Sequence, residues 1–140
     1  MAVPALSSGL ADLTGRRVLD VGCGTGVLAI TAALLGSSDV GALDVVPEAL
    51  ATTWKDVIRN QVAGRVAEPD VDPARCPGPF DVVLANIHAD VLLSLAPELS
   101  RLLAPAGILG LVGSGRRSSP GWIGLRWIGQ AGPVASARWY

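Results

Sequence analysis

The run Asp20-Val21-Gly22-Cys23-Gly24-Thr25-Gly26 places three glycines at alternate positions, the first two residues after an acid. Glycines spaced this way let the backbone turn sharply and approach a ligand where a side chain would clash. The run sits between a short apolar segment, Arg17 to Val21, and an Ala/Leu/Ile-rich one, Thr25 to Leu35. A strand leading in and a helix leading out put the loop at a strand's carboxyl end. A pyrophosphate-binding loop of the G-x-G-x-x-G type needs its last glycine at position 27, which is Val27. A nicotinamide-dependent oxidoreductase is therefore disfavoured.

The layout suits an adenosyl ligand that lacks a pyrophosphate. S-adenosylmethionine carries an ammonium that can pair with Asp20. Its carboxylate and ribose would lie against Gly22, Gly24 and Gly26. Asp44 ends the next apolar segment, at the same edge as the loop. A carboxylate there can accept both ribose hydroxyls, as acids in nucleotide-binding sheets do, or can simply favour the next helix N-terminus. Asn86 ends a further strand, Phe80 to Asn86. Its carboxamide offers donors and acceptors for the cofactor's amino-acid end or a substrate amine, with a turn-forming role as the alternative. Asp70 and Asp72 stand where the ligand's adenine would fall, and the sequence does not choose between them.

Other candidates carry less. His88 is the single histidine, two residues past Asn86. A base there could deprotonate an attacking ammonium, but a surface histidine explains it as well, and no catalytic residue is assigned. Cys23 would have its pKa lowered by a helix N-terminus, yet no partner base is placed beside it, so it reads as a small packing residue. One histidine and two distant cysteines, Cys23 and Cys76, cannot build a four-ligand zinc site, and no metal is expected.

The elements that position these residues alternate. Strands are expected over Arg17–Gly22, Asp39–Val45, Phe80–Asn86 and Ile108–Val112, with a thinner one over Arg65–Val71. Helices are expected over Thr25–Leu35, from Pro47 to about Ala63 with Gly64 as its stop, and over Ala89–Leu103. Gly36 is a plausible C-cap, and Pro105-Ala106-Gly107 is read as a break between helix and strand. Alternation at this spacing argues an α/β fold, a Rossmann-like doubly wound and mostly parallel sheet. Residues 1–113 form its core. The Gly/Trp/Arg-rich tail over 114–140 is atypical, with edge strands conceivable near Trp122-Ile123 and from Val134 to Trp139 but no helix before them. Leu6, Leu10 and Leu13 suggest at most a short amphipathic helix at the start.

Half of the 140 residues are hydrophobic and 16% are charged, enough for one domain with a core. The longest apolar stretch, Leu102 to Gly113, contains Pro and Gly and falls short of the about 20 residues a spanning helix needs. No basic segment precedes an apolar one at the N-terminus, so a cytoplasmic protein without a membrane partner is expected, and its cysteines are expected free. All 12 acids lie in residues 1–98, whereas residues 99–140 hold five arginines and no acid. That tail is read as keeping an atypical terminus soluble, without direct nucleic-acid binding.

Two blocks resemble a known family. Val18-Leu19-Asp20-Val21-Gly22-Cys23-Gly24-Thr25-Gly26 fits class I S-adenosylmethionine-dependent methyltransferases in general. Val83-Leu84-Ala85-Asn86-Ile87-His88-Ala89-Asp90-Val91-Leu92, followed by Leu95-Ala96-Pro97-Glu98-Leu99, is similar to the catalytic domain of the ribosomal protein L11 methyltransferases. These methylate lysine and N-terminal amines. The resemblance covers Arg17 to Gly113. It implies S-adenosylmethionine as cofactor, Gly22, Asp44 and Asn86 as cofactor-binding positions, and a protein acceptor, a ribosomal protein among the candidates. The chain departs from the family at position 88, where the family has Leu. It lacks the family's N-terminal substrate-recognition domain and its Gly-Thr-Gly-x-His-Pro-Thr-Thr segment, and the family's C-terminal helix and strand pair give way to the Trp/Arg tail. The chain thus reads as an incomplete methyltransferase, the alternative being a truncated adenosyl-cofactor-binding module without turnover. Asn86-Ile87-His88-Ala89 is not the Asn-Pro-Pro-aromatic motif of nucleobase-amine and glutamine methyltransferases, which makes those substrates poor candidates.

Overall fold

β1 (Arg17–Val21) is buried at every residue after its first, because neighbours cover both of its edges and both of its faces. β2 (Asp39–Leu43) pairs with it on one side and β3 (Phe80–Ala85) on the other, both parallel. β4 (Leu103–Gly113) adds to β3 in parallel, and β5 (Ile123–Ile128) closes that side antiparallel, giving the order β2-β1-β3-β4-β5. The computed structural model describes residues 12–87, 89–113 and 123–128.

The crossovers are α1 (Val27–Leu34), α2 (Pro47–Arg59) and α3 (Ala89–Leu102). Because strand side chains alternate in direction, each strand feeds two cores. Val18, Val40, Ala42, Val82 and Leu84 pack with Leu28, Ala29, Ala32 and Ala33 of α1 and with Val57 of α2. Leu19, Val21, Leu43, Phe80, Val83 and Ala85 pack on the opposite face with Leu99 and Leu102 of α3. Helices therefore cover both faces of a mostly parallel sheet, the doubly wound α/β architecture expected. No described helix is long and apolar enough to cross a membrane.

Several boundaries differ from expectation, each for a local reason. The thin strand over Arg65–Val71 is reduced to two isolated bridges along the outer edge of β2, Val40 with Val66 and Leu43 with Asp70. Only Val66 of that segment is buried, so little apolar surface holds it flat. α2 stops at Asn60, not near Gly64: Gln61 turns to φ 59°, and Val62 and Val66 swing into the core. Pro105-Ala106-Gly107 does not separate α3 from β4 but forms a bulge inside the strand, opposite the register shift between Phe80 and Val82. β5 extends the sheet beyond Gly113. The expected N-terminal helix lies outside the described residues except at Leu13, which is fully buried. The possible edge strand over Val134–Trp139 also lies outside them.

A lock at the opposite end of the sheet from the glycine loop holds the strands in register. The Arg17 guanidinium donates to Asp39 Oδ2 at 2.6 Å and to the carbonyls of Pro79 and Pro77 at 2.7 and 2.8 Å. It also lies 4.9 Å from the centre of the Phe80 ring, a cation–π contact. The Arg17 backbone N–H donates to Asp81 Oδ2.

Candidate functional site

Val21 is the register partner of both Leu43 and Ala85. The next residues along the three strands, Gly22, Asp44 and Asn86, therefore leave the sheet at one level. Hydrogen bonds hold that level: Gly22 N–H and Cys23 N–H donate to Leu43 O, and Asn86 N–H donates to Val21 O. After β1 the chain moves first to β2 and then back across to β3. The loops after β1 and β3 thus flank the point where the winding reverses, the crevice where open α/β sheets bind ligands. Gly22, Asp44 and Asn86, expected at one edge, stand there together.

The three glycines differ in what their missing side chains permit. A Cβ on Gly22 would come within 2.6 Å of Ile87 Cγ2 and 2.9 Å of Asn86 O, so this glycine lets the β1 and β3 loops pack together. A Cβ on Gly26 would meet Thr53 Cγ2 at 2.8 Å, which makes it a contact between loop and α2. Only Gly24 faces open space, with no described atom within 4 Å of that position. All three have positive φ, which favours glycine on conformational grounds as well. At Gly22 and Gly26 the missing side chain admits neighbouring protein, and at Gly24 it leaves open space.

Asp44 holds the loop from its side. Oδ2 accepts the Gly24 N–H at 3.0 Å, and Oδ1 accepts the Val46 N–H at 3.0 Å at the entry to α2. The carboxylate is half-buried. Its remaining lone pairs leave it able to accept from a ligand's hydroxyls. Asn86 is exposed at the lip. Asp70 lies beside this edge through backbone bonds, its carbonyl accepting from Asp44 N–H and its N–H donating to Ala42 O. Asp72 is engaged elsewhere, accepting from Ala74 N–H as the cap of a short turn over Pro73–Arg75. His88 lies outside the described residues.

Asp20 differs from its expected position. It alternates to the same face as Val18 and is fully buried under the start of α1, where Oδ2 accepts the Ala29 N–H at 3.2 Å. That bond satisfies one of the unpaired amides of the helix's first turn. Oδ1 has no hydrogen-bond partner among the described residues. Burial pushes the carboxyl up to about 7, the Ala29 N–H draws it back, and the charge of Asp44 adds to the rise. Asp20 thus bonds to the first turn of α1, and Asp44 is the acid bonded to the glycine loop.

Cys23 is also buried, and burial pushes its thiol up to about 11. A thiolate nucleophile is thereby removed at neutral pH, the reverse of what a helix N-terminus alone predicts, and the packing role stands. Thr53 is a further polar residue at the loop that no motif marks. It is fully buried on α2, with Oγ1 2.9 Å from Gly24 O and 3.3 Å from Cys23 Sγ. The signal was a hydroxyl at an inward position of a helix whose face otherwise reads Leu50, Trp54, Val57.

The arrangement suits one class of ligand. The Asp44 carboxylate at the loop disfavours a pyrophosphate, while an open glycine, a half-buried acid and an exposed carboxamide can receive hydroxyls and an amino-acid group.

The family model described as ribosomal protein L11 methyltransferase (PrmA) matches residues 1–115. The ribosomal protein L11 methyltransferase of Teredinibacter turnerae is 46% identical over 103 residues, covering 73% of this chain and 34% of that protein. The one from Citrifermentans bemidjiense is 44% identical over 117 residues, covering 81% and 38%. Among solved structures, the ribosomal protein L11 methylase of Lactobacillus delbrueckii subsp. bulgaricus superposes with a TM-score of 0.62 at 33% identity, over 69% of this chain and 50% of that one. The chain spans about a third of the length of the curated relatives it matches.

Proposed function

The chain belongs to the ribosomal protein L11 methyltransferase family, and from that premise we propose that it binds S-adenosylmethionine at the edge formed by Gly22, Asp44 and Asn86. Its reaction is methyl transfer to protein amino groups, those of a ribosomal protein, in the cytoplasm. The observation that carries the reading is the common level at which these three residues leave the sheet, with Asp44 bonded to the Gly24 amide.

Each residue has a role consistent with its placement. Asp44 accepts the ribose hydroxyls while holding the loop. Gly24 lets the ligand lie against the backbone, and Gly22 and Gly26 keep the loop seated on its neighbours. Asp20, buried beneath the start of α1, is charged on the alkaline side of its raised pKa, and there it complements the ligand's ammonium. Asn86, exposed at the lip, orients the amino-acid end or the incoming amine. The bound cofactor supplies a methyl group already activated by its sulfonium, so alignment and exclusion of water are the protein's main tasks. That division of labour agrees with a site in which Cys23 is held as a neutral thiol and no nucleophile–base pair is assigned.

Calorimetric titration of the chain with S-adenosylhomocysteine tests the proposal, with NADH and the Asp44→Ala variant as controls. Saturable binding that the variant loses supports it, and a folded chain that binds nothing overturns it. Transfer of a labelled methyl group to purified ribosomal protein L11 then tests the acceptor. Because the chain spans about a third of its relatives' length, binding without transfer would identify it as a cofactor-binding module.

A further inference from the structure

We propose that Thr53 is a positioning residue of this site, its hydroxyl locking the Gly24 peptide in the orientation that the ligand meets. The proposal rests on the adenosyl-binding reading of the loop and adds a residue on a different element, α2, to the machinery.

Gly24 is held at both ends. Its N–H donates to Asp44 Oδ2 at 3.0 Å, and its C=O lies 2.9 Å from Thr53 Oγ1. It is also the glycine of the loop whose missing side chain faces open space. A glycine at φ +55° has little conformational preference of its own, so outside contacts must set the direction of its peptide groups.

Proton counting fixes the direction of the bonds at Thr53. The hydroxyl has one hydrogen, and Gly24 O can only accept, so the hydroxyl donates there. Cys23 Sγ, 3.3 Å from the same oxygen, then has to donate its S–H to Oγ1. Burial keeps that thiol protonated, as this requires. The chain Cys23 S–H to Thr53 O–H to Gly24 C=O runs back into its own loop, and every member is oriented.

The two branches of the Thr53 side chain do separate work. Its methyl fills the space left by Gly26, where a Cβ would lie 2.8 Å from Cγ2. Its hydroxyl holds Gly24. Substitution can therefore divide them: Thr53→Ser keeps the hydroxyl and loses the methyl, and Thr53→Val keeps the shape and loses the hydroxyl.

The experiment is calorimetric titration of the wild-type chain and both variants with S-adenosylhomocysteine, with thermal unfolding of each alongside. Thr53→Val is expected to weaken binding by about tenfold, because the Gly24 carbonyl loses its donor and the binding-competent loop becomes a minor state. Thr53→Ser is expected to bind within about twofold of wild type while melting at a lower temperature, having lost only buried methyl packing. A residue that merely stabilised the fold would lower affinity in step with melting temperature in both variants, and that result overturns the proposal. Wild-type affinity in Thr53→Val also overturns it. If Thr53→Val does not fold, Thr53→Ala replaces it and is judged against Thr53→Ser in the same way. Absence of binding by the wild-type chain would remove the adenosyl reading itself, a different result from binding that ignores the hydroxyl.

Discussion

The Gly24 amide donates to Asp44 Oδ2 at 3.0 Å across 20 residues of sequence, joining the loop after β1 to the end of β2. The same carboxylate caps the Val46 amide with Oδ1, so one side chain holds both the loop and the entry to α2. Asp44→Asn removes the charge and one of these two acceptors together. An amide presents one acceptor and one donor group, so one of the two backbone N–H groups faces an NH₂. S-adenosylhomocysteine affinity is expected to fall roughly ten- to hundredfold, since hydrogen bonds to a charged acceptor are lost. Unchanged affinity on titration would mean that the ligand does not use this carboxylate.

The glycines should separate stability from binding. Gly22→Ala forces a Cβ to within 2.6 Å of Ile87 and 2.9 Å of a backbone oxygen, and should cost about 2–3 kcal/mol in denaturant unfolding. Gly24→Ala meets no described atom, so its cost is the backbone's alone, about 1 kcal/mol, yet its methyl occupies the space assigned to the ligand. It is expected to fold and to bind poorly. A Gly24→Ala chain that binds like wild type would move the ligand away from the loop.

What could be read in the sequence follows from how local each signal is. The loop, Asp44 and Asn86 were legible because strand ends marked by apolar runs meeting Gly, Asp or Asn are short-range features, and parallel pairing brings those ends together. Thr53 was not, because its partners lie about 30 residues away and a lone hydroxyl on a helix has many uses. The 65–71 segment was overread, since strand-like composition does not ensure enough buried surface to keep a strand paired. The stop of α2 was misplaced at Gly64 because Val62 and Val66, pulled into the core, end the helix earlier than the glycine would. Asp20 was read by type and spacing, but its strand parity decides which way it points, and parity sends it under α1.

The burial of Asp20 gives a signed pH dependence. Its carboxyl titrates near 3.8 when unfolded and at about 7 when folded. Between those values the folded chain holds a proton that the unfolded chain has released, so stability falls as pH rises through the window. Asp20→Asn cannot ionise and lacks this slope. The variant should gain on wild type steadily from pH 4 to about 7 in unfolding measurements, by on the order of a few kcal/mol, and level off above that. A constant difference across that range would show that the carboxyl is not titrating there.

Arg17 should influence stability and not the site. Arg17→Met keeps an apolar stem over Phe80 and removes the bonds to Asp39, Pro77 and Pro79. A loss of about 1–3 kcal/mol is expected, tempered by solvent at the half-exposed Asp39 pair. Affinity for S-adenosylhomocysteine in the folded variant should match wild type. A weakened affinity would show that the register set at one end of the sheet reaches the other.

The position of β1 between β2 and β3 has a consequence for synthesis. As the chain leaves the ribosome, β1 can pair with β2 once Leu43 is out, but its other edge must wait for Phe80–Ala85. While residues 44–79 are being made, Val18, Leu19 and Val21, all buried in the finished fold, belong to a strand with one unsatisfied side. Such an edge invites pairing with other extended chains, and its closure depends on a contact far along the sequence, which makes that closure slow. The lock between Arg17 and residues 77–81 joins the same two segments as the β1–β3 pair, so neither can form before Pro77 to Ala85 have been made. The interval of greatest exposure for the nascent protein thus lasts until β3 is available.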